Sequence, residues 1–500
     1  MELGMKTGIK RAACVGGGVI GAGWISRLLL SGIDVHVFDP HPEAERIVAE
    51  VFANAERAYG SLTSAPLPKR GTLRFAKSLQ EAVEGAEFIQ ESVPERLDLK
   101  RGVLNQIDRF APASAIIGSS TSGLLPSDLQ AEMTHPERLL VAHPYNPVYL
   151  LPLVELVPGK LTGQAQLAQA ADIYEQIGMK GVILKKEIEA FVGDRLLETL
   201  WREALWLIKD DICDVETLDD IMRYSFGLRW AQMGLFQTYR IAGGEAGMRH
   251  FLAQFGPCLA WPWSKLTDVP ELDDELVSKI ASQSDAQAAG LGIRELERIR
   301  DENLVAILHG LKGSRNGEGW GAGKLLKEFE DRLWAQSGAD LAIVPSARLL
   351  VTLETKVNPS WLDYNGHMTE FRYLHVFGDA TDAFLRLIGI TAQTAAAGNS
   401  YYTVETHIRH LAETKAGAAL KIETQVLGAK GKKLHLFHRL FDATTGVLQA
   451  TGEHMLLHVS HGASSLPPAH VIENAEKFYE AHRHLALPEG AGRHVGQARE

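Results

Sequence analysis

Short apolar segments alternate with helix-like stretches through the first part of the chain. The first segment, residues 12–15, leads into a run of glycines, and the second, residues 35–38, ends at Asp39. Further segments of this kind lie at residues 88–89, 115–117, 139–142, 154–157 and 182–184. Such alternation predicts a parallel β-sheet covered by helices on both faces. We therefore expect an α/β domain in residues 1–186.

From about residue 187 the apolar positions recur at helical spacing instead. One stripe consists of Leu196, Leu197, Leu200, Ala204, Leu205 and Ile208. A stripe of this width predicts a helix that packs against other helices. We expect an all-helical domain in residues 187–325. Residues 326–347 are the predicted linker, which starts in a connecting helix and then becomes exposed.

After the linker the apolar and polar residues alternate with a period of two. Five segments show this pattern: residues 349–357, 401–410, 420–427, 434–441 and 447–457. One helical segment, residues 370–388, falls between the first two. This order predicts an α+β domain in residues 348–460, in which a curved antiparallel sheet encloses a single helix. Residues 461–500 form a C-terminal tail, with one amphipathic stretch that either packs as a helix or frays.

Length, charge and cysteine content limit the class of protein. Five hundred residues exceed one hydrophobic core, so two or three domains are expected. The net charge of −11 argues against nucleic acid or an anionic membrane as a partner. Cys14, Cys213 and Cys258 lie far apart without metal-ligand spacing, and no apolar run is long enough to span a bilayer. A cytoplasmic enzyme of bacterial type is the expected class.

The glycine run has the spacing of a dinucleotide-binding loop. A strand, the glycines, a helix, a second strand and an acid follow in that order, which is the Rossmann context. Asp39 would accept hydrogen bonds from the adenosine ribose and would repel a 2′-phosphate, so NAD is favoured over NADP. The predicted cofactor contacts here are Gly16, Gly18, Val19, Ile20, Gly21 and Asp39. A glycine turn without a ligand and an FAD site are the alternatives.

Three polar residues follow later apolar segments and suggest a site that oxidises an alcohol. Ser122 lies in Ser-Ser-Thr-Ser-Gly-Leu, His143 in His-Pro-Tyr-Asn-Pro, and Glu155 in Leu-Val-Glu-Leu. A neutral imidazole can take a hydroxyl proton near pH 7, and a carboxylate partner fixes its tautomer. Taken alone, a histidine such as His143 is more often structural than catalytic. A carboxylate in an apolar strand is costly without a partner, and His143 is the obvious one for Glu155.

Together these motifs resemble the 3-hydroxyacyl-CoA dehydrogenase superfamily over residues 10–311. The resemblance also includes Glu-Ser-Val-Pro-Glu at 91–95 and Lys100. It implies that Glu95 and Lys100 line the nicotinamide-ribose side and that Ser122 hydrogen-bonds the substrate oxygen. It also makes His143 the general base and Glu155 the carboxylate that orients it.

Two departures from that superfamily point to a cationic substrate. Relatives that use CoA esters have basic residues after the second strand, whereas residues 40–68 here contain only Arg46 and Arg57. The family's usual Asn, in a Val-Asn-Arg-Leu pattern, is replaced by Asp194. The loss of basic residues argues against a CoA handle, and the added carboxylate favours a cation. The residues predicted to contact the substrate are Asn146, Asp194, Arg195 and Trp230.

The helical region adds tryptophans that could attract a quaternary ammonium group. Trp201, Trp206, Trp230, Trp261 and Trp263 lie within a short span, and cation–π attraction is worth roughly 0.5–2 kcal/mol per ring. Helix packing is the alternative for each ring.

Segments 194–202, 227–230 and 242–250 are similar to the L-carnitine dehydrogenases of this superfamily. That resemblance implies L-carnitine, a 3-hydroxy acid with a trimethylammonium group, as the substrate. Arg195 and Arg229 are candidates for its carboxylate.

A second candidate site precedes the helix of the C-terminal domain. Asp363 begins Asp-Tyr-Asn-Gly-His-Met, which read alone is a common turn. In its strand–turn–helix setting it resembles hotdog thioesterases of the 4-hydroxybenzoyl-CoA type, through Asp363, Gly366, His367 and Tyr373. The resemblance implies a catalytic carboxylate at Asp363, an acyl-CoA substrate and a homodimer.

The leading prediction is a bifunctional enzyme. It would oxidise L-carnitine to 3-dehydrocarnitine with NAD and hydrolyse a short acyl-CoA such as betainyl-CoA. The enzyme alternative is a 3-hydroxyacyl-CoA dehydrogenase fused to an acyl-CoA thioesterase. The non-enzyme alternative is an NAD-binding structural protein of the crystallin kind, against which the joint presence of Ser122, His143 and Glu155 counts.

Overall fold

The chain divides into two compact units in a computed structural model. The structure describes residues 8–63, 65–242, 247–255, 264, 271, 273–340, 345–357, 361–391, 394 and 397–493. The first unit comprises Met1–Tyr59 and Leu67–Phe329, and the second comprises Gly60–Pro66 and Glu330–Glu500. No helix in the described parts of the chain has the length and apolar character needed to cross a membrane.

An eight-stranded sheet forms the centre of the first unit. Its strands are β1 (Arg11–Val15), β2 (Asp34–Phe38), β3 (Leu73–Phe75), β4 (Phe88–Glu91), β5 (Ile116–Ser119), β6 (Leu139–Pro144), β7 (Leu153–Pro158) and β8 (Lys180–Ile183). Their order in the sheet is β3-β2-β1-β4-β5-β6-β7-β8. The intervening helices are α1 (Val19–Leu30), α2 (Ala44–Leu62), α3 (Leu79–Val83), α4 (Leu97–Phe110), α5 (Pro126–Gln130) and α6 (Gln164–Gln176). Because its central strands are apolar on both faces, side chains such as Ala13, Ile89 and Ile117 are fully buried.

One pair of strands departs from the predicted parallel sheet. Strands β6 and β7 pair antiparallel, while the other neighbours in this sheet run parallel. Residues 145–152, which join them, are too few for a crossover connection between parallel strands. The prediction of an entirely parallel sheet was wrong at this point. The reversal places His143 directly opposite Glu155.

Helices without strands follow in the first unit, as predicted. They are α7 (Gly193–Lys209), α8 (Val215–Tyr224), α9 (Phe226–Ala242), α10 (Gly247–Phe255), α11 (Asp274–Ala288), α12 (Ile293–Lys312) and α13 (Ala322–Asp340), the last of which continues past Phe329. The predicted stripe on α7 is buried at Leu205 and Ile208. Leu196 and Leu197, by contrast, are 56% and 54% exposed. Among the described residues, the stripe is therefore buried only toward the C-terminal end of α7.

A six-stranded antiparallel sheet forms the second unit. Its strands are β9 (Leu350–Lys356), β10 (Asn399–His410), β11 (Ala419–Lys430), β12 (Lys433–Asp442), β13 (Leu448–Ser460) and β14 (Ala463–Ser464). The order is β10-β13-β12-β11-β9, with β14 paired to β13. Helix α14 (Glu370–Leu387) buries Tyr373, Phe377 and Phe384, and its residues share core clusters with those of the sheet. This is the predicted arrangement of one helix against an antiparallel sheet.

Both segments that were predicted to lie outside domains contain helix. Helix α13 covers much of the predicted linker 326–347. In the predicted tail 461–500, α15 (Ala469–His482) buries Val471, Ala475 and Phe478 in the same core cluster as β11 and β12 side chains. The amphipathic stretch therefore packs as a helix.

Candidate active sites

The glycine loop between β1 and α1 has the shape that a pyrophosphate needs. Gly16 has a φ of +102°, and a Cβ on Gly21 would lie 2.0 Å from the Gly16 carbonyl oxygen. A Cβ on Gly18 would meet nothing within 4 Å, so open space lies in front of the first turn of α1. Val19 is exposed and Ile20 half-buried at this turn, whose free amides carry partial positive charge.

Asp39 lies at the end of β2 beside this loop. Its Oδ2 accepts a hydrogen bond of 2.6 Å from the Gly17 amide, and its Oδ1 accepts one of 2.8 Å from the His41 amide. The carboxylate is thereby fixed next to the glycines, where it can accept ribose hydroxyls and repel a 2′-phosphate. These residues fit NAD, which brings a hydride acceptor to the site.

His143 and Glu155 form a buried hydrogen-bonded pair across β6 and β7. His143 Nδ1 lies 2.9 Å from Glu155 Oε2, and the two side chains are 4% and 5% exposed. Tyr145 donates its hydroxyl to the same oxygen at 2.8 Å. The Val192 and Gly193 amides, at the start of α7, donate to Oε1 at 3.2 and 3.1 Å. Glu155 therefore favours the His143 tautomer with Nδ1 protonated, in which Nε2 can accept a proton.

The same contacts keep Glu155 ionised. Burial raises the pKa of its carboxyl, but the hydrogen bonds from His143, Tyr145 and the Gly193 amide outweigh burial, so the pKa lies below its ordinary value. Burial and the bond to Glu155 raise the pKa of Tyr145, which remains a neutral donor. The dyad can thus stabilise an imidazolium when His143 takes a proton.

Asp194 lies on the other side of the imidazole. Its Oδ2 is 3.5 Å from His143 Nε2, and its side chain is 26% exposed. Burial raises the pKa of Asp194, and the neighbouring charges of Glu155, Glu198 and Glu95 raise it further, against the opposing effect of His143. This part of the site carries an excess of negative charge.

Glu95 connects the loops that follow β4 and β5. Its Oε1 accepts the Thr121 hydroxyl and the amides of Ser122 and Gly123, the amides at 3.0 and 3.1 Å. Lys100 is 1% exposed, with Nζ 2.8 Å from Glu91 Oε1 and 3.6 Å from Glu95 Oε2. Lys100 is therefore buried beneath Glu95, which is itself 45% exposed at the surface of the loop.

Ser122 is exposed at the same edge of the sheet as His143. Ser119 pairs with Val141 in the parallel strands β5 and β6, so the residues that follow each strand emerge together. Ser122 is fixed through its amide, and its exposed hydroxyl has no hydrogen bond to another described residue.

The remaining predicted substrate residues are more dispersed. Asn146 is exposed before a cis bond to Pro147, and Arg195 is exposed on the first turn of α7. Trp230 is half-buried on α9, with its ring 4.6 Å from that of Phe226. Trp201 is 56% exposed, and the Lys209 ammonium lies 5.1 Å from the Trp206 ring. Trp261, Trp263 and residues 243–246 lie outside the described residues, and an aromatic cage stays a prediction.

Sequence reasoning missed several groups that complete the first site. Tyr145 follows His143 by two residues in the motif that was selected, so its hydroxyl could have been considered. Glu91, fully buried against Lys100, opens the selected Glu-Ser-Val-Pro-Glu motif. The Val192 and Gly193 amides gave no signal, because the sequence does not show where a helix start will point.

The second site is a turn held by its own carboxylate. Asp363 Oδ1 accepts the amides of Asn365 at 2.8 Å and His367 at 3.2 Å, and Gly366 has a φ of +79°. The His367 amide, and then Asn365, hold the pKa of Asp363 below its ordinary value. Helix α14 begins at Glu370, so the ionised carboxylate lies a few residues before a helix start.

Two contacts connect the turn and α14 to the segment between β10 and β11. His367 Nε2 is 3.1 Å from Glu413 Oε2, and the Tyr373 hydroxyl donates to Thr414 Oγ1 at 3.1 Å. The turn thus contains Asp363, Gly366 and His367, whereas Tyr373 lies in α14. His367 and Tyr373 contact residues 413–414. The interpretation of this segment as a turn is correct for the backbone. Among the described residues, Asp363 Oδ2 has only a weak 3.4 Å contact, with the side-chain nitrogen of Asn365.

Three families match this chain in succession. Residues 11–188 match the NAD-binding domain of 3-hydroxyacyl-CoA dehydrogenase, and residues 191–272 match its C-terminal domain. Residues 357–475 match the thioesterase-like superfamily.

Similarity to named proteins extends these family matches over the whole chain. A protein of Rhizobium meliloti (strain 1021), "L-carnitine dehydrogenase/betainyl-CoA thioesterase", is 65% identical and covers 99% of this chain and 100% of its own length. An "L-carnitine dehydrogenase" of Mesorhizobium japonicum is 66% identical over 65% of this chain and 90% of its own length. Among solved structures, an NAD⁺-dependent FHMPC 5-dehydrogenase is 28% identical with a TM-score of 0.52, covering 61% of this chain and 99% of that one.

The glycine loop, the His143–Glu155 dyad and the Asp363 turn thus occur in a chain that aligns end to end with bifunctional relatives. This protein belongs to the L-carnitine dehydrogenase/betainyl-CoA thioesterase family.

Proposed function

We propose that this chain oxidises L-carnitine to 3-dehydrocarnitine with NAD at His143 and hydrolyses betainyl-CoA at Asp363. The first activity is supported above all by the buried His143–Glu155 pair, in which His143 Nε2 faces Asp194 Oδ2 at 3.5 Å. The high full-length identity to bifunctional relatives supports both activities.

His143 would act as the general base. Its Nε2 takes the hydroxyl proton while the carbinol carbon loses hydride, and bound NAD supplies the acceptor for that hydride. Glu155 stabilises the imidazolium that forms, and its low pKa keeps it charged throughout. The Ser122 hydroxyl, exposed at the same edge, would donate to the substrate oxygen as it becomes a carbonyl.

Asp194 would select the cationic substrate. In carnitine the ammonium nitrogen and the hydroxyl oxygen are on adjacent carbons, so a hydroxyl at His143 Nε2 brings the ammonium group close to Asp194 Oδ2. Burial and the charges of Glu155, Glu198 and Glu95 raise the pKa of Asp194, and a bound cation would relieve the repulsion among these carboxylates. Arg195 and Trp230 stay candidates for the substrate carboxylate and for an aromatic wall, and Asn146 for shaping the pocket.

Steady-state kinetics on purified variants test this assignment. The His143→Gln variant should lose about 10²–10⁴-fold in NADH formation from L-carnitine. The Asp194→Asn variant should mainly raise the KM for carnitine, because the imidazole is untouched. Turnover of hydroxybutyryl-CoA without turnover of carnitine would select the alternative 3-hydroxyacyl-CoA dehydrogenase. Unchanged NADH formation in His143→Gln would remove the base assignment.

Asp363 would activate water for thioester hydrolysis. Its carboxylate takes a proton as water attacks the carbonyl carbon, the C–S bond breaks, and the CoA thiolate leaves and is protonated. Amides at the start of α14 would polarise the carbonyl oxygen. The Asp363→Asn variant keeps an acceptor for the Asn365 and His367 amides, so it should fold and lose only hydrolysis. Undiminished betainyl-CoA hydrolysis would contradict this role.

Assembly, domain limits and location complete the proposal. We propose a homodimer, and the exposed apolar residues of the helical region support a covered surface there; they include Leu197, Trp201, Leu228 and Phe236. The proposed domains remain 1–186, 187–325 and 348–460, with α15 added to the last. A reducing cytoplasm fits the free thiols of Cys14 and Cys213. Light scattering of the purified chain tests the dimer.

A further inference from the structure

One oxygen of Glu155 is shared by two side-chain donors. His143 Nδ1 lies 2.9 Å from Glu155 Oε2, and the Tyr145 hydroxyl donates to the same oxygen at 2.8 Å. Each donor stabilises the ionised carboxylate and weakens its attraction for any other proton. Although burial raises the pKa of Glu155, the hydrogen bonds from His143 and Tyr145 bring it below its ordinary value. The imidazole and the phenol therefore divide the negative charge of one oxygen between them.

The local backbone leaves room for the Tyr145 hydroxyl at this position. A Cβ at Gly193 would lie 1.5 Å from the Tyr145 hydroxyl oxygen and 2.5 Å from Cζ, so a larger residue would displace the phenol. The Tyr145 ring also meets the imidazole of His143 edge-on, with ring centroids 5.0 Å apart. Burial and the bond to Glu155 raise the pKa of Tyr145, so its hydroxyl keeps the proton that it donates. The second hydrogen bond to Glu155 is thus built into the site.

The surroundings of the imidazole are rich in carboxylates. Asp194 Oδ2 lies 3.5 Å from His143 Nε2, on the side of the ring away from Nδ1. Glu198, also on α7, and Glu95, in the loop after β4, add negative charge around Asp194. Lys100 Nζ lies 3.6 Å from Glu95 Oε2 and offsets part of that charge. Carboxylates near an imidazole favour its protonated form, whereas a general base must be neutral before it reacts.

We infer that Tyr145 is a positioning residue that sets the pH range of the oxidation. Its hydroxyl takes up part of the charge of Glu155 Oε2, so Glu155 holds a proton on His143 less strongly than it would without the phenol. His143 is therefore neutral, and able to accept the substrate's hydroxyl proton, at lower pH. The inference rests on the proposed role of His143 as the general base. Tyr145 acts only through Glu155 and exchanges no proton with the substrate.

The Tyr145→Phe variant tests this role, because it removes one oxygen and keeps the ring beside His143. The acidic limb of the pH profile of kcat/KM for L-carnitine should move to higher pH by about 0.5–1 pH unit. Activity on that limb should fall about three- to tenfold as a result. Above the limb, kcat/KM should stay within about twofold of the parent, since His143 Nε2 is untouched. An unmoved acidic limb would overturn the inference.

Tyr149→Phe is the matched control. The Tyr149 hydroxyl donates to buried Asp301 at 2.7 Å, so this variant also removes a phenol–carboxylate hydrogen bond from the segment between β6 and β7. It should lower the melting temperature as much as Tyr145→Phe does, but it should leave the acidic limb at its parental pH. If the limb moved equally in both variants, loosening of the segment would explain the change, and the inference would fail.

A measurement without turnover separates this inference from the proposed function. The Cε1 hydrogen of an imidazole exchanges slowly with deuterium at a rate that depends on protonation, and mass spectrometry of peptides reads this rate. The tryptic peptide 139–160 contains His143 as its only histidine. Its exchange profile against pH should move to higher pH in Tyr145→Phe and stay in place in Tyr149→Phe.

The two measurements have different consequences when they fail. If the parent forms no NADH from L-carnitine, the proposed function fails, while the exchange profile of His143 still decides the role of Tyr145. If the parent oxidises L-carnitine but the exchange profiles of the parent and Tyr145→Phe coincide, the proposed function stands and the role of Tyr145 is refuted.

Discussion

The first compact unit buries charged side chains in pairs, whereas the second buries neutral histidines among threonines. In the first unit, Arg138 and Asp108 are both 2% exposed with a 2.7 Å contact, and Lys100 is held by Glu91. In the second, His438 is fully buried between the hydroxyls of Thr381 and Thr424, at 2.9 and 2.8 Å.

This difference determines how each unit should respond to acid. The hydrogen bonds from Arg138 and nearby amides hold the pKa of Asp108 below its ordinary value despite burial. Burial lowers the pKa of His438 and lowers that of His454 to about 4. In the first unit, a charged pair such as Arg138–Asp108 stops contributing to the free energy of unfolding only when the pH falls through the depressed pKa of its carboxyl. In the second unit, the buried neutral histidines stop contributing to this free energy at higher pH, as soon as the histidines of the unfolded chain bind protons.

The largest expected effect comes from breaking a charged pair in the first unit. The Lys100→Met variant leaves Glu91 buried without its cation, which should cost about 3–5 kcal/mol in the free energy of unfolding. Urea denaturation of the first unit, followed by tryptophan fluorescence, measures this loss. Adding Glu91→Gln should recover part of it. In the second unit, Lys477→Met breaks the exposed pair with Glu473 and should leave stability unchanged.

Mild acid should destabilise the second unit before the first. Because the folded pKa of His438 and His454 is depressed, stability is full above the unfolded pKa of about 6.5 and falls as the pH drops toward 4. Two such groups should cost on the order of 3 kcal/mol per pH unit in that window. Calorimetric melts at several pH values measure the slope for each unit.

Matched variants identify the source of that slope. His458 and His482 in the second unit and His36 in the first also have pKa values lowered by burial, so a weaker slope in the first unit is expected. The His438→Gln/His454→Gln variant keeps amides that can bond the threonines and should flatten the slope of the second unit. Parallel slopes in the two units would refute the comparison.

Steric changes in the first unit should alter stability without altering its response to pH. In Gly21→Ala the new Cβ would lie 2.0 Å from the Gly16 carbonyl, which should cost roughly 1–3 kcal/mol. In Gly18→Ala the Cβ meets open space, so melting should be unchanged. The Gly18 variant should nevertheless bind NAD at least about tenfold more weakly, because the methyl group occupies space for the pyrophosphate. Normal NAD affinity in Gly18→Ala would contradict the placement of the cofactor.

The sequence predicted those parts of the fold that local patterns specify. The glycine spacing, Asp39 at the end of β2 and the alternation in the second unit all correspond to elements of the structure. Motif order also placed His143 and Glu155 within reach of each other, and the structure pairs them at 2.9 Å.

Features that depend on distant contacts could not be predicted. Leu196 and Leu197 have the same periodicity as Leu205, and nothing in the sequence shows that their end of α7 is exposed. His438 lies on the same strand face as Leu436 and Leu440, and His454 on the same face as Leu456, so alternation predicts the face of each histidine but not the contacts that bury it. Only the packing of α14 against β12 and β13 makes the two histidines part of a core.

The smallest expected effect is a change of backbone conformation in the second unit that leaves its histidines untouched. Gly366, in the Asp363 turn, has a φ of +79° with no atom within 4 Å of an added Cβ, so Gly366→Ala should cost about 1–2 kcal/mol through strain alone. The matched change Gly378→Ala, in the middle of α14 with equally open space, should stabilise by roughly 0.5–1 kcal/mol. Melting temperatures of the second unit should therefore shift in opposite directions. Both variants should retain the parental slope with pH, since that slope comes from proton uptake by the histidines of the unfolded chain. A changed slope in either variant would mean that the turn or the helix, rather than the buried histidines, controls the response to acid.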